Sequence, residues 1–148
     1  MGVLSAVVVV VVAWQTGLVV PRLSLGADTG SGGTYATRDL PPVYEPRLEL
    51  VNDGLLPETV EAVGQSVPGM RLLEVAVASP ELEPGGSTDV TLRYLVTDCA
   101  AVPAGSLPVP VRVRRWWGDV TTQAGYDENY SGSAWHRDTV ADLCRQNP

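Results

Sequence analysis

Hydrophobic residues run without a charged interruption from Met1 to Val20, then recur at alternate positions, and in the tail recur at every fourth. The first regime holds six consecutive valines, Val7–Val12, and is closed by Pro21–Arg22. About twenty residues at ~1.5 Å rise cover the ~30 Å hydrocarbon core of a bilayer. Valine is a mediocre helix former in water, but in lipid the backbone must hydrogen-bond to itself. A cleaved signal peptide carries a positive n-region and a small-x-small cleavage site. No Arg or Lys precedes Val20, and the segments around Ala27 and Ala36 fit such a site poorly. A buried strand does not need this length. The expectation is an uncleaved transmembrane helix over residues 1–21.

Leu25–Thr37 (LGADTGSGGTYAT) is rich in Gly, Ser and Thr. Residues 22–46 therefore read as a flexible spacer, stiffened by Pro41, Pro42 and Pro46, which lets the following domain stand a few nanometres from the membrane. From Arg47 the period is two. Leu48 and Leu50 lead into the turn signal Asn52–Asp53–Gly54. Glu58–Val63 and Met70–Ala78 follow as strands, the second with a bulge at Leu72–Leu73. Glu83–Pro84–Gly85–Gly86 has the residues of a type II turn. In Thr88–Thr97, Val90, Leu92, Tyr94 and Val96 face one way. In Leu107–Trp117, Val109, Val111 and Val113 alternate with Pro108, Pro110, Arg112 and Arg114. Those prolines place the start of this strand at a sheet edge. Gly118 breaks it, and Asp119–Gln123 is one more short strand.

The tail Ser133–Arg145 (SAWHRDTVADLCR) offers a Ser cap and spaces His136, Val140 and Cys144 four apart, so it predicts a short helix with Cys144 on the Val140 face. The fold expected is all-β: an immunoglobulin-like β-sandwich over residues 47–148, with an N-terminal transmembrane helix and a short C-terminal helix.

Composition limits the functions that fit. All ten basic residues are Arg against 17 acidic ones, a net charge of −7 with a pI near 4.5. An acidic domain is repelled by phosphate backbones, which argues against nucleic acid. The two cysteines, Cys99 and Cys144, close one disulfide if the domain is exported, and are two free buried thiols if it is cytosolic. With His136 as the lone histidine they are too few for a zinc site. No EF-hand spacing is present, so neither a metal nor another cofactor is expected. Arg22 introduces a conflict: the positive-inside rule puts it on the cytoplasmic side, whereas a disulfide puts the domain outside. A long domain translocates largely regardless of a flanking charge, so the outside is expected. A native start upstream of Met1, with an Arg-rich n-region, would reconcile the two.

Leu48–Gly54 (LELVNDG) resembles the opening strand and Asn-x-Gly turn of many bacterial Ig-like modules. Leu82–Ser87 (LEPGGS) before Val90–Thr91–Leu92 is similar to their Pro-Gly turn and alternating strand. Together with Val96–Thr97–Asp98–Cys99, Val109–Val113 and a C-terminal Cys, the pattern from Arg47 to Cys144 resembles exported, membrane-anchored actinobacterial Ig-like proteins. The resemblance implies a tethered Ig-like domain with a Cys99–Cys144 bridge. It brings no activity and no functional residues.

Candidate sites are sparse. His136 and Asp138 are two apart and do not share a helix face, and no nucleophile motif accompanies them, so no catalytic residue and no enzyme is expected. Trp116, Trp117, Tyr126, Tyr130 and Trp135 cluster within twenty positions, beside Arg112, Arg114 and Arg115. Such a set forms a recognition patch for protein or sugar if exposed. The favoured arrangement has one of Trp116 and Trp117 in the core and the tail covering the other. The function expected is a non-enzymatic, membrane-tethered module on the extracytoplasmic side. It would contact or support envelope proteins, the alternative being cell-wall glycan bound on the aromatic patch.

Overall fold

The computed structural model describes residues 18–35, 41–126 and 135–145. The strands are β1 (Leu23–Thr34), β2 (Val43–Asn52), β3 (Glu58–Val63), β4 (Met70–Val77), β5 (Glu81–Leu82), β6 (Ser87–Val96), β7 (Pro110–Arg115), β8 (Gly118–Gln123) and β9 (Gly125–Tyr126), and one helix, α1 (Trp135–Arg145), follows. They build a five-stranded sheet, β4-β6-β2-β1-β9, and a four-stranded sheet, β5-β3-β7-β8. The protein is thus mostly β with two sheets, an arrangement compatible with a β-sandwich. All pairings are antiparallel except β1 with β9.

Period two dictates which residues enter the core. Leu48 and Leu50 of β2 and Val90, Leu92, Tyr94 and Val96 of β6 are buried from one sheet, and Val60, Val63, Val111 and Val113 from the other. They belong to one hydrophobic cluster. Each fully buried aliphatic side chain contributes roughly 1.5–3 kcal/mol relative to exposure. Turn chemistry completes the order. Gly85 adopts φ +73° and the Gly86 N–H donates to the Glu83 carbonyl at 2.8 Å, the geometry of a type II turn. The register of β4 against β6 shifts between Leu72 and Glu74, where the broken alternation predicted a bulge.

Two sequence expectations are corrected. Residues 23–34, read as part of a flexible spacer, form β1 and pair with β2 from Leu23↔Asn52 to Thr34↔Val43. Leu23 and Leu25 are buried in the core, and two of the glycines that suggested flexibility, Gly26 and Gly33, serve close packing. A Cβ at Gly33 would lie 2.7 Å from the Val43 carbonyl oxygen and 3.0 Å from a Leu143 methyl of α1, so only glycine lets the helix settle there. Nor does β7 lie at a sheet edge: it pairs with β3 on one side and β8 on the other. Its prolines are tolerated because Pro108 precedes the strand and Pro110 is its first residue.

The predicted anchor lies outside the described residues except for its last four positions. Leu18–Val20 form bends, and Pro21 is buried against the domain. Among the described residues no helix is long and apolar enough to cross a membrane.

Tyr94 is buried and stacked against Tyr44, with ring centroids 6.5 Å apart. Burial, with a smaller repulsive contribution from Tyr126, pushes its phenol up to about 12. The folded state then holds this proton more tightly than the unfolded chain, whose tyrosine titrates near 10. The stabilisation is complete below pH ~10 and is lost as pH rises toward 12, on the order of 2–3 kcal/mol in all. Denaturant titrations across that window, paired with phenolate absorbance, are expected to show both changes together. A Tyr94→Phe chain is expected to lack this component of the alkaline loss.

Candidate functional site

The same alternation that buries Val111 and Val113 carries Arg115 inward at the end of β7, and buries Glu58 beside it at the start of β3. Arg115 Nε donates to Glu58 Oε2 at 3.0 Å, and Nη2 bonds the other carboxylate oxygen, a two-pronged pair sealed from solvent. The guanidinium also reaches the N-terminal segment and the hairpin. Nη1 donates to the Leu18 carbonyl at 3.1 Å, and the guanidinium carbon sits 5.0 Å from the Trp117 ring centroid, within cation–π range. One side chain thus joins β3, the incoming N-terminal segment and the β7–β8 turn.

That turn consists of Trp116 and Trp117. Arg115 pairs with Gly118 across it, so the two tryptophans form a two-residue hairpin tip, and Gly118 takes the φ of +128° that closes it. The indoles meet edge to face, centroids 5.0 Å apart and planes at 86°. Trp116 is 91% exposed and Trp117 43%. The arrangement with one tryptophan in the core is therefore overturned: both belong to the turn, not to the strand, and strand alternation does not apply to them.

Beside the hairpin lies an open groove of about 420 Å³, walled by Leu56, Pro57, Thr59, Arg114 and the two tryptophans. The loop that supplies Leu56 and Pro57 is held by Asn52, which is buried. Its side-chain N–H groups donate to the carbonyls of Leu56 (2.8 Å) and Leu82 (3.1 Å), and its oxygen accepts from the Gly54 N–H (2.9 Å). Leu55 at the tip of this loop is 63% exposed.

The structure brings together only part of the aromatic and arginine set. Trp116, Trp117 and Arg114 share the groove. Arg114 also pairs with Glu61, as does Arg112 at 3.6 Å. Tyr126 is elsewhere, half-buried on β9, its hydroxyl donating to the Leu107 carbonyl at 2.7 Å. Tyr130 lies outside the described residues, and Trp135 opens α1. Arg115, grouped with the patch arginines in the sequence, is instead buried, and with Glu58, which the sequence reading did not single out, it positions the hairpin.

At the opposite pole Cys99 and Cys144 form a disulfide that fastens α1 to the loop after β6. His136 is buried on α1 with Nε2–H donating to the Pro103 carbonyl at 3.0 Å, while Asp138 is exposed. Among the described residues no three His, Cys, Asp or Glu side chains converge as a metal ion requires. The chain matches no known protein family and no curated protein sequence.

Proposed function

We propose that this protein is a membrane-tethered, extracytoplasmic immunoglobulin-like module that serves the cell envelope by contact rather than by chemistry. The observation that carries the reading is the Cys99–Cys144 disulfide, since such bonds persist in oxidising compartments. Three further features support it. Residues 1–17 are uncharged and amount to about 25 Å at helical rise, near the lower limit of a bilayer span. The strand and turn motifs resemble those of exported Ig-like modules. The single histidine is occupied by a backbone carbonyl inside the fold, where it holds α1 to the neighbouring loop.

Cysteine labelling in whole cells tests this. With a membrane-impermeant maleimide, Cys99 and Cys144 are expected to label only after reduction, in a protein recovered with the membrane fraction. Labelling without reduction, or only after the cells are opened, overturns the extracytoplasmic placement.

A further inference from the structure

We propose that the Trp116–Trp117 hairpin is a lipid-interface contact, so that the pole where the chain enters the domain lies against the bilayer with both indoles in the headgroup layer. This rests on the reading of the residues before Leu18 as a membrane anchor. The path of the chain is the first reason. The Leu18 carbonyl is bonded to Arg115, and the Arg22 carbonyl accepts from the Asp53 N–H at 2.9 Å before β1 begins at Leu23. No slack separates the end of the apolar segment from the fold. One guanidinium lies between the Leu18 carbonyl and the Trp117 ring, so a bilayer that holds the segment meets the hairpin as well.

The chemistry of this pole is the second reason. Leu18, Val19, Leu55, Trp116 and Trp117 are all exposed here or on the segments that meet here, and they make up five of the seven large hydrophobic residues exposed among the described ones. Indole, with an apolar body and one N–H, is enriched at the boundary between hydrocarbon and water. The two arginines beside the hairpin are matched, Arg115 by Glu58 and Arg114 by Glu61. In a chain of net charge −7 the contact is aromatic rather than basic, and neutral lipid satisfies it. Sugar is the less suitable ligand, because indoles at 86° to each other offer no coplanar platform for successive rings.

The test uses the full chain in phosphatidylcholine vesicles with brominated acyl chains, which quench tryptophan on contact. Of four tryptophans, Trp14 lies in the apolar segment, Trp116 and Trp117 form the hairpin, and Trp135 opens α1 on the disulfide side. Quenchable emission is expected to fall about threefold in W116A/W117A, from three indoles to one, and not to change with salt. If the double variant does not fold, Trp116→Ala alone is expected to remove one of the three. Equal quenching in parent and variant, both floating with the vesicles, overturns the contact and leaves the anchor standing. A chain that does not float removes anchor and contact together. Retention on isolated cell-wall glycan that W117A abolishes, with no difference in quenching, assigns the hairpin to sugar instead.

Discussion

Glu58→Gln is expected to cost about 3–5 kcal/mol of folding stability, read from the denaturant midpoint of the full chain. The substitution leaves the buried guanidinium of Arg115 without a counter-charge. Desolvation of a buried ion amounts to several kcal/mol, and only its partner offsets it. Small domains have about 5–15 kcal/mol in total, so this one change takes a large share. Arg115→Met is expected to cost a similar amount by stranding the carboxylate. The double variant E58L/R115M is expected to recover most of the loss, since apolar replacement of a whole buried pair is often neutral or better. It should nevertheless disorder the hairpin, because the cation–π contact to Trp117 and the bond to the Leu18 carbonyl go with Arg115. A red shift and faster acrylamide quenching of tryptophan emission would record that. Recovered stability with unchanged emission would show that Arg115 does not position the indoles.

Cys99→Ser is expected to lower stability by about 4 kcal/mol, the loop-closure value for the 45-residue separation. The loss should appear as a lower melting temperature under oxidising conditions and should vanish when parent and variant are compared in reductant. Amide exchange is expected to rise first in α1. The helix is amphipathic but short, and helices of this length are marginal without tertiary support. Its anchorage is the bridge together with buried Val140 and Leu143 and the His136 bond to the Pro103 carbonyl.

Much of the fold was legible in the sequence because period two and turn chemistry agree wherever the core is made. Val90 to Val96, Val109 to Val113, the Pro84–Gly85 turn and the Leu72–Leu73 irregularity each have a local cause that the residues display. Two of the misreadings share another origin: the deciding partner lay far along the chain. Leu23–Thr34 has glycine-rich composition, and only β2 on one side and α1 above Gly33 make a strand of it. The prolines around Val109 read as an edge because β3, nearly fifty residues earlier, supplies the second neighbour. Arg115 was legible in principle. It has the parity of Val111 and Val113, as Glu58 has that of Val60, and an inward charge on each of two strands is the signature of a buried pair. The tryptophans were misplaced by extending strand parity one step too far: Gly118 pairs with Arg115, so the reversal begins at Trp116.

The position of β1 also determines how the domain answers a pull. Tension applied at Leu18 acts along the axis of β1, and the ladder from Leu23↔Asn52 to Thr34↔Val43 is loaded in shear, so its bonds resist together rather than opening one by one. From β2 the load passes sideways to β6, next in the sheet, and from the end of β6 through Cys99 to Cys144 in α1. The backbone between those cysteines, which carries β7, β8 and β9, is bypassed by the covalent bridge. A force between the two ends of the domain thus runs through three adjacent strands and one disulfide, and the bond from Arg115 to the Leu18 carbonyl, at the base of the tryptophan hairpin, is the first contact it loads.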